Sequence, residues 1–154
     1  MNTYPSPIGT IYLEANEKGL SHLSFKKPKT SGSSNLEVIK ETKAALRKYF
    51  SGELNALSKL KLNPEGTDFQ KKVWKEARKI RASKTLSYME LAQKVGSPKA
   101  YRAVGTALGK NPICLAIPCH RVLSSNGKLG GFSQGLKRKE FLLKIEKAGG
   151  STPK

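Results

Sequence analysis

Apolar and polar residues alternate near the start of the chain, as they do in a strand with one buried face. The alternating apolar positions are Ile11, Leu13, Ala15, Leu23 and Phe25. Because side chains two residues apart lie on the same face of a strand, this pattern predicts a β-hairpin that turns at residues 17–19. His22 falls on the opposite face, where we interpret it as an ordinary surface residue.

A helical period replaces the alternation after a loop of Pro, Gly, Ser and Lys residues over 26–34. Ser34 followed by Glu37 matches a capping box, in which two side chains satisfy backbone N–H groups at a helix start. The apolar positions that follow are Ile39, Leu46 and Phe50. They predict one amphipathic helix that ends near Gly52, with residues 53–66 as a connection.

The second half of the chain is helical in pattern from Thr67 onward. Thr67 with Gln70, and Ser87 with Glu90, each match a capping box. The apolar positions behind the two boxes are Phe69, Val73, Ala77 and Ile80, and then Leu91, Ala92 and Val95. Two amphipathic helices are therefore predicted here.

A third helix is predicted directly after these two. Gly96 is expected to end the second helix, and Ser97 and Pro98 to supply the N-cap and first position of the third. Its inward positions are Ala100, Val104, Ala107 and Leu108, and its outward positions are Lys99, Arg102 and Thr106. This pattern is typical of a helix-turn-helix that binds DNA, although helical hairpins without a ligand share it.

The charge of the chain favours a nucleic-acid partner. The 154 residues carry 29 Lys and Arg against 11 Asp and Glu, a formal net charge of +18. Residues 67–154 hold 19 of the basic and 5 of the acidic side chains, so the excess lies on the part with the helical hairpin. A nucleic-acid-binding surface is expected to be basic in this way. A solvated lysine-rich surface is the alternative.

Neither a membrane span nor a metal site is predicted. The longest apolar run, 113–117, is far shorter than the ~20 residues that a span needs, and no signal-like stretch opens the chain. Cys114, Cys119 and His120 lack a nearby fourth ligand for structural zinc, and one close cysteine pair is no disulfide framework. We therefore expect a soluble protein of the reducing cytoplasm that binds no metal.

The segment 117–122 contains the most reactive side chains in the sequence. It reads Ile-Pro-Cys-His-Arg-Val, so the imidazole of His120 and the guanidinium of Arg121 follow the Cys119 thiol. Such neighbours make a thiol a better nucleophile, whereas a buried cysteine is often only a small apolar residue, as we interpret Cys114. Adjacent strand residues point to opposite faces, so either the backbone turns at Cys119 or a water bridges the thiol and His120.

A glycine-rich loop over 124–136 and a last helix follow this segment. Glycine lets the loop backbone approach a flat ligand closely. Glu146, on the helix, has no Lys or Arg three or four residues away. Its partner is therefore either a tertiary one such as His120 or solvent.

Several of these segments together resemble the O6-alkylguanine-DNA alkyltransferases, also called methylated-DNA–protein-cysteine methyltransferases. The most specific part of the match is the Pro-Cys-His-Arg run followed by the loop 130–133. The other matching segments are 6–9, 87–88, 99–105, 111–112 and 139–146. The resemblance therefore extends over nearly the whole chain.

The resemblance implies an α+β fold of two domains. A small N-terminal antiparallel hairpin or sheet with one helix would form a ribonuclease-H-like domain over 1–60. It would be packed on a mostly helical C-terminal domain over 67–150, which contains the helix-turn-helix and the Pro-Cys-His-Arg active site.

The implied activity is DNA repair by direct, irreversible transfer of an alkyl group to Cys119 from O6-alkylguanine, and also from O4-alkylthymine. The thioether is stable, so each molecule would act once. By resemblance, His120 takes the thiol proton through a water and Glu146 orients the imidazole. Asn111 would brace the active-site segment, and Arg121 is expected to serve this scaffold rather than the chemistry. No cofactor is implied.

The implied partner is double-stranded DNA carrying O6-alkylguanine, bound in its minor groove by a monomer. Tyr88 would crowd the target phosphate, and Arg102 would fill the space that the flipped base leaves. The carbonyls of Cys119 and Val122 would accept from the guanine amino group, and the Ser133 N–H would point at O6. Further DNA-binding residues implied by the resemblance are Lys99, Gly105 and Thr106.

The sequence departs from the family pattern at Phe132, where many relatives carry Tyr, which keeps an apolar wall and removes a hydroxyl. Two other functions remain as alternatives. One is a helix-turn-helix DNA binder with inert cysteines. The other is an alkyltransferase-like protein that binds the lesion without removing it, against which the presence of Cys119 argues.

Overall fold

A computed structural model of the chain describes residues 2–28, 35–126, 128–132 and 134–151. The chain divides into two units: Met1–Glu65 with Pro112–Ala116, and Gly66–Asn111 with Ile117–Lys154. The predicted α+β class is confirmed, since a sheet with one helix forms most of the first unit and helices form most of the second. The domain boundaries at 60 and 67 stay a prediction. In the described part of the chain, no helix combines the length and apolar character that a membrane crossing requires.

The first unit contains a three-stranded antiparallel sheet in the order β1-β2-β3. The strands are β1 (Asn2–Ser6), β2 (Gly9–Asn16) and β3 (Gly19–Ser24). β2 and β3 form the predicted hairpin, with Leu13 opposite Leu23 and both side chains buried. The apolar alternation did not predict β1, because most of its residues are polar and Pro5 interrupts it. An edge strand such as β1 tolerates a proline.

The helix of the first unit, α1 (Leu36–Phe50), differs from prediction at its start. Asn35 is the N-cap, and its Oδ1 accepts from the Val38 N–H at 3.3 Å. The predicted capping box of Ser34 and Glu37 is therefore wrong. Asn is as good an N-cap residue as Ser, and Asn35 takes that position. Ser34 itself lies outside the described residues. A 3₁₀ turn over Ala56–Lys59 follows α1.

The second unit is built on four helices: α2 (Asp68–Arg78), α3 (Tyr88–Val95), α4 (Tyr101–Gly109) and α5 (Leu136–Ser151). Both predicted capping boxes are confirmed. The Gln70 N–H donates to Thr67 Oγ1 at 3.1 Å, and the Glu90 N–H donates to Ser87 Oγ at 3.0 Å. α2 packs on α3 and α4, where the buried Trp74 Nε1–H donates to the Ala107 carbonyl at 2.8 Å. The core of this unit therefore supports the predicted helix-turn-helix of α3 and α4.

The start of α4 was predicted wrongly. Gly96 ends α3 in the left-handed conformation, with φ 89°, and the Ser97 N–H closes that end by donating to the Ala92 carbonyl at 3.0 Å. Ser97 is thus engaged in ending α3, and Pro98 lies in a turn that the Ala100 N–H closes onto the Ser97 carbonyl at 2.8 Å. α4 begins only at Tyr101.

Candidate active site

The Pro-Cys-His-Arg segment makes a tight turn that presents Cys119. Pro118 has φ −79° and ψ 68°, and the Cys119 N–H donates across it to the Ile117 carbonyl at 2.8 Å, the geometry of an inverse γ-turn. A 3₁₀ turn over Cys119–Arg121 follows and leads into strand β5 (Val122–Leu123). The backbone turns at Cys119, which was one of the two arrangements expected there, and a bridging water stays a prediction. The thiol is 5% exposed.

Two sets of hydrogen bonds hold this turn in place. The Asn111 Nδ2 group, just after α4, donates to the Ile117 carbonyl at 2.8 Å. On the other side, β5 pairs in parallel with β4 (Leu86–Ser87), which runs directly into α3. Tyr88, the first residue of α3, is thereby brought beside the active-site segment.

A buried cluster of His120, Arg121 and Glu146 follows Cys119. His120 is 0% exposed, and its Nε2 lies 2.7 Å from Glu146 Oε2. Arg121 holds the same carboxylate at both oxygens, with Nε 2.8 Å from Oε1 and Nη2 2.9 Å from Oε2. Its Nη1 donates to the Ile80 carbonyl at 2.6 Å, near the end of α2. Glu146 therefore has tertiary partners, and it is not a solvated carboxylate.

Burial and charge set the protonation states of this cluster. Burial lowers the pKa of His120, and the favourable Glu146 carboxylate does not reverse that shift. Burial alone would raise the pKa of Glu146, but hydrogen bonds and charges from His120 and Arg121 lower it to about 2. Glu146 is thus an anion neutralised mainly by Arg121, while His120 is a neutral imidazole.

The hydrogen-bond pattern also assigns the tautomer of His120. Since a carboxylate only accepts, Nε2 carries the hydrogen and Nδ1 carries the lone pair. Among the described residues, Nδ1 has no hydrogen-bond partner. The imidazole is therefore oriented by Glu146 at one nitrogen and able to accept a proton at the other.

A cavity of about 330 Å³ lies beside the thiol. This volume is at the lower end of the range for small-molecule sites, which suits a compact ligand such as a single base. Its lining residues are Tyr88, Gly105, Leu108, Gly109, Cys119, Gly131 and Phe132. Cys119 thus lines a space that is bounded by two aromatic residues and by glycines.

Tyr88 forms one wall of the cavity and remains a phenol. Burial and the nearby Cys119 raise its pKa, and its hydroxyl donates a long hydrogen bond to the Gly131 carbonyl at 3.4 Å. Gly130 allows this packing: it has φ 70°, and a Cβ there would lie 3.1 Å from the Tyr88 ring. A glycine at position 130 is therefore required by both conformation and space.

The helix-turn-helix presents a basic outer face near this cavity. Lys99, Arg102 and Thr106 are exposed, as predicted, and Gly105 lies between them on α4 and lines the cavity. The Arg102 guanidinium lies 6.0 Å from the ring centre of the exposed Tyr101. Helix α4 thus contributes both to the cavity wall, through Gly105, and to the exposed basic face, through Arg102.

The structure also brings two residues to the site that were not predicted to act there. Arg121, which was expected to serve the scaffold rather than the chemistry, binds the Glu146 carboxylate directly. Lys139 is buried, with its Nζ 2.8 Å from the Val122 carbonyl and 3.0 Å from the Gly131 carbonyl. Burial lowers the pKa of Lys139 to about 8, against an opposing contribution from Cys119. The spacing of seven residues between Lys139 and Glu146 was the available signal, since it places both on one helical face.

Val122 and Ser133 were also predicted to belong to the site. Val122 is buried beside Cys119, and its carbonyl accepts from Lys139. Ser133 lies outside the described residues, so its predicted role stays a prediction. Among the residues that the structure describes, no group of three or more His, Cys, Asp or Glu side chains is arranged to hold a metal ion.

The chain matches two family models. The model described as 6-O-methylguanine DNA methyltransferase, DNA binding domain, matches residues 68–148. The model described as 6-O-methylguanine DNA methyltransferase, ribonuclease-like domain, matches residues 1–64. Together they cover nearly the whole chain.

Individual proteins agree with these models. A methylated-DNA–protein-cysteine methyltransferase of Methanosarcina barkeri is 51% identical over 147 residues, which are 92% of each chain. The crystal structure of the O6-methylguanine methyltransferase of Mycobacterium tuberculosis superposes with a TM-score of 0.85 at 37% identity, over 98% of this chain and 93% of that one. A structure of the M. tuberculosis protein in complex with DNA superposes with a TM-score of 0.83 at 37% identity, over 96% of this chain and 92% of that one.

Proposed function

Because the chain belongs to the 6-O-methylguanine DNA methyltransferase family, it repairs DNA by transferring an alkyl group to a cysteine, and we propose that this cysteine is Cys119. The observation that carries the assignment is the oriented relay beside it. His120, next in the chain, is neutral, is held at Nε2 by Glu146, and has its Nδ1 without a partner among the described residues. Cys114 is also a buried thiol, but it belongs to the other unit and has no such neighbours in sequence.

The proposed step is a direct displacement at the alkyl carbon. The thiol proton passes through a water to His120 Nδ1, and the resulting imidazolium is stabilised by the Glu146 carboxylate. The sulfur then forms a bond to the alkyl carbon while the bond from that carbon to guanine O6 breaks. The products are a thioether on Cys119 and an unmodified guanine, which takes up a proton. Because a thioether is chemically stable, each molecule reacts once.

The base would be read by backbone groups around the cavity. The carbonyls of Cys119 and Val122 would accept from the guanine amino group, and the N–H of Ser133, which lies outside the described residues, stays the predicted donor to O6. Tyr88, kept as a phenol by its raised pKa, donates to the base edge and crowds the target phosphate. The same pocket would take O4-alkylthymine.

DNA is the partner, as the matched DNA-binding domain indicates, and we propose that a monomer binds it through the minor groove. The exposed Lys99 and Arg102 of the helix-turn-helix support this mode, together with the small residue Gly105 and the exposed hydroxyl of Thr106. The alkylated base would leave the stack and enter the cavity. A thiol that must stay reduced to react also fits a cytoplasmic protein.

The direct test is a mass measurement after one turnover. The protein is incubated with duplex DNA containing O6-methylguanine, digested, and searched for a methyl-sized mass gain. We expect the gain on the peptide containing Cys119 and on no other. DNA binding without any mass gain would instead favour the helix-turn-helix binder with inert cysteines.

Arg102→Ala is expected to impair repair of duplex DNA much more than repair of the free base. Arg102 is proposed to occupy the gap left by the extruded guanine, and unpairing and unstacking cost a few kcal/mol in a duplex but little in a single strand. We expect about a tenfold or larger loss in the single-turnover rate on duplex O6-methylguanine. The rates on a short single strand and on the free base, at saturating protein, should change little.

Lys99→Ala is the matched control, since Lys99 is exposed on the same basic face. It should weaken duplex binding and reduce its salt dependence, without selectivity among the three substrates. An equal fractional loss on all three substrates for Arg102→Ala would show that Arg102 does not act in extrusion.

A further inference from the structure

Lys139 is a fully buried lysine whose two hydrogen bonds both go to backbone carbonyls of the site. Its side chain is 0% exposed, and Nζ donates to Val122 at 2.8 Å and to Gly131 at 3.0 Å. A lysine is rarely buried without a compensating role, because its head group loses the solvation of water. The two acceptors belong to different segments, β5 and the glycine-rich loop.

Helix α5 places Lys139 and Glu146 on the same face. They lie seven residues apart, two helical turns, with the buried Leu142 between them. Glu146 holds the side chains of His120 and Arg121, whereas Lys139 holds the backbone that follows them. One helix thus supports both the proton relay and the base pocket.

In the described part of the chain, the segments that Lys139 joins are short, and their other contacts include the pairing of β5 with β4. β5 has two residues, Val122 and Leu123. The Gly131 carbonyl also accepts a long hydrogen bond, of 3.4 Å, from the Tyr88 hydroxyl. Gly130 beside it has a positive φ. The ammonium group therefore joins the Val122 carbonyl, three residues after Cys119, to the glycine-rich loop, whose Gly131 lines the cavity.

We propose that Lys139 is a positioning residue that fixes the Val122 carbonyl and the Gly131 backbone at the separation needed to read the 2-amino group of guanine. This rests on the proposed function, in which Val122 accepts from that amino group. A carbonyl oxygen has two lone pairs, so Val122 accepts from Lys139 and from the base together. Lys139 therefore contributes to the selection of alkylguanine over purines that lack the 2-amino group.

The other role open to this lysine is electrostatic. A cation near Cys119 would favour the thiolate and raise its reactivity towards every electrophile, not only towards the methylated base. Selection of the base and reactivity of the thiol are separable by experiment, because a small alkylating agent needs no base pocket.

The test compares duplexes that carry O6-methylguanine with duplexes that carry O6-methylhypoxanthine, which lacks the 2-amino group. Single-turnover rates are measured for the unaltered protein, Lys139→Met, Lys139→Arg and the control Lys144→Met, whose lysine is exposed on the same helix. The unaltered protein and the control should prefer guanine by about tenfold. In Lys139→Met the preference should fall to about twofold or less, and Lys139→Arg, which keeps a charged donor, should restore part of it.

Alkylation of Cys119 by iodoacetamide, followed by peptide mass, separates the two roles. We expect its rate to be unchanged in Lys139→Met; a fall parallel to that of methyl transfer would overturn the proposal in favour of thiol activation. The proposal also fails if the unaltered protein shows no preference between the two duplexes, or if a folded Lys139→Met keeps the full preference for guanine. If neither duplex transfers its methyl group to Cys119 of the unaltered protein, the proposed function itself is wrong.

Discussion

Cys119→Ser is expected to abolish alkyl transfer from O6-methylguanine DNA while leaving DNA binding nearly intact. Serine is almost isosteric with cysteine, so the turn over Cys119–Arg121 and the helix-turn-helix should keep their geometry. Its hydroxyl, however, is a far weaker nucleophile at neutral pH, and His120 alone does not compensate. We expect the single-turnover rate to fall by at least about a thousandfold. Transfer is measured as methyl incorporation, and binding as the shift of a labelled duplex.

Cys114→Ser is the matched control for this substitution. Cys114 is also buried but lies in the segment Pro112–Ala116, which belongs to the first unit. It should retain transfer at close to the original rate, with a stability loss of about 1–3 kcal/mol from the buried hydroxyl. Comparable residual activity in both serine variants would contradict the assignment of Cys119 as the nucleophile.

Much of the fold follows from signals that are local in sequence. The hairpin of β2 and β3 follows from its alternation, and the starts of α2 and α3 follow from capping boxes that satisfy backbone donors within four residues. The end of α3 at Gly96 follows equally from the left-handed conformation of that residue. Each of these predictions depended on residues that interact with near neighbours.

The errors arose where two local signals compete for the same residues. Ser97 and Pro98 have the composition of a helix start, but the Ser97 N–H is already used to close α3. Ser34 and Asn35 are both good N-caps, and the structure uses the second. The sequence pattern alone does not show which of two such arrangements has the lower free energy.

The candidate site was predictable in its reactive residues and not in its supports. Cys119 and His120 could be selected because their chemistry is unusual in one short segment. The contacts of Arg121 with Glu146 and of Lys139 with two carbonyls join residues that are distant along the chain. A charged residue on a helix predicts a solvated side chain by default, so burial of Lys139 could be found only by placing α5 against the active-site turn.

Glu146→Gln is expected to slow alkyl transfer by about ten- to a hundredfold at neutral pH and to move its pH profile upward. The imidazolium that forms when His120 accepts the thiol proton loses its counter-charge, so His120 becomes a weaker base. Thiolate formation then needs a higher pH. Single-turnover rates across the neutral and alkaline range measure this, and an unchanged rate with an unchanged profile would exclude Glu146 from the relay. Glu140→Gln, on the exposed side of α5, should alter neither.

The same substitution should remove an acid-dependent part of the protein's stability. The pKa of Glu146 is lowered from 4.5 to about 2 in the folded chain, so its ionised contacts stabilise the fold above pH 4.5 and are lost as the pH falls towards 2. A shift of this size corresponds to about 3 kcal/mol of unfolding free energy. Three N–H groups of His120 and Arg121 donate to the two carboxylate oxygens of Glu146, whereas a glutamine amide has one acceptor oxygen. The substitution also leaves the Arg121 charge buried without a counter-ion. Urea unfolding should therefore show Glu146→Gln less stable than the unaltered protein by about 3 kcal/mol at pH 7. This difference should shrink between pH 4.5 and 2. The same difference at pH 7 and at pH 2 would mean that protonation of Glu146 is not coupled to folding.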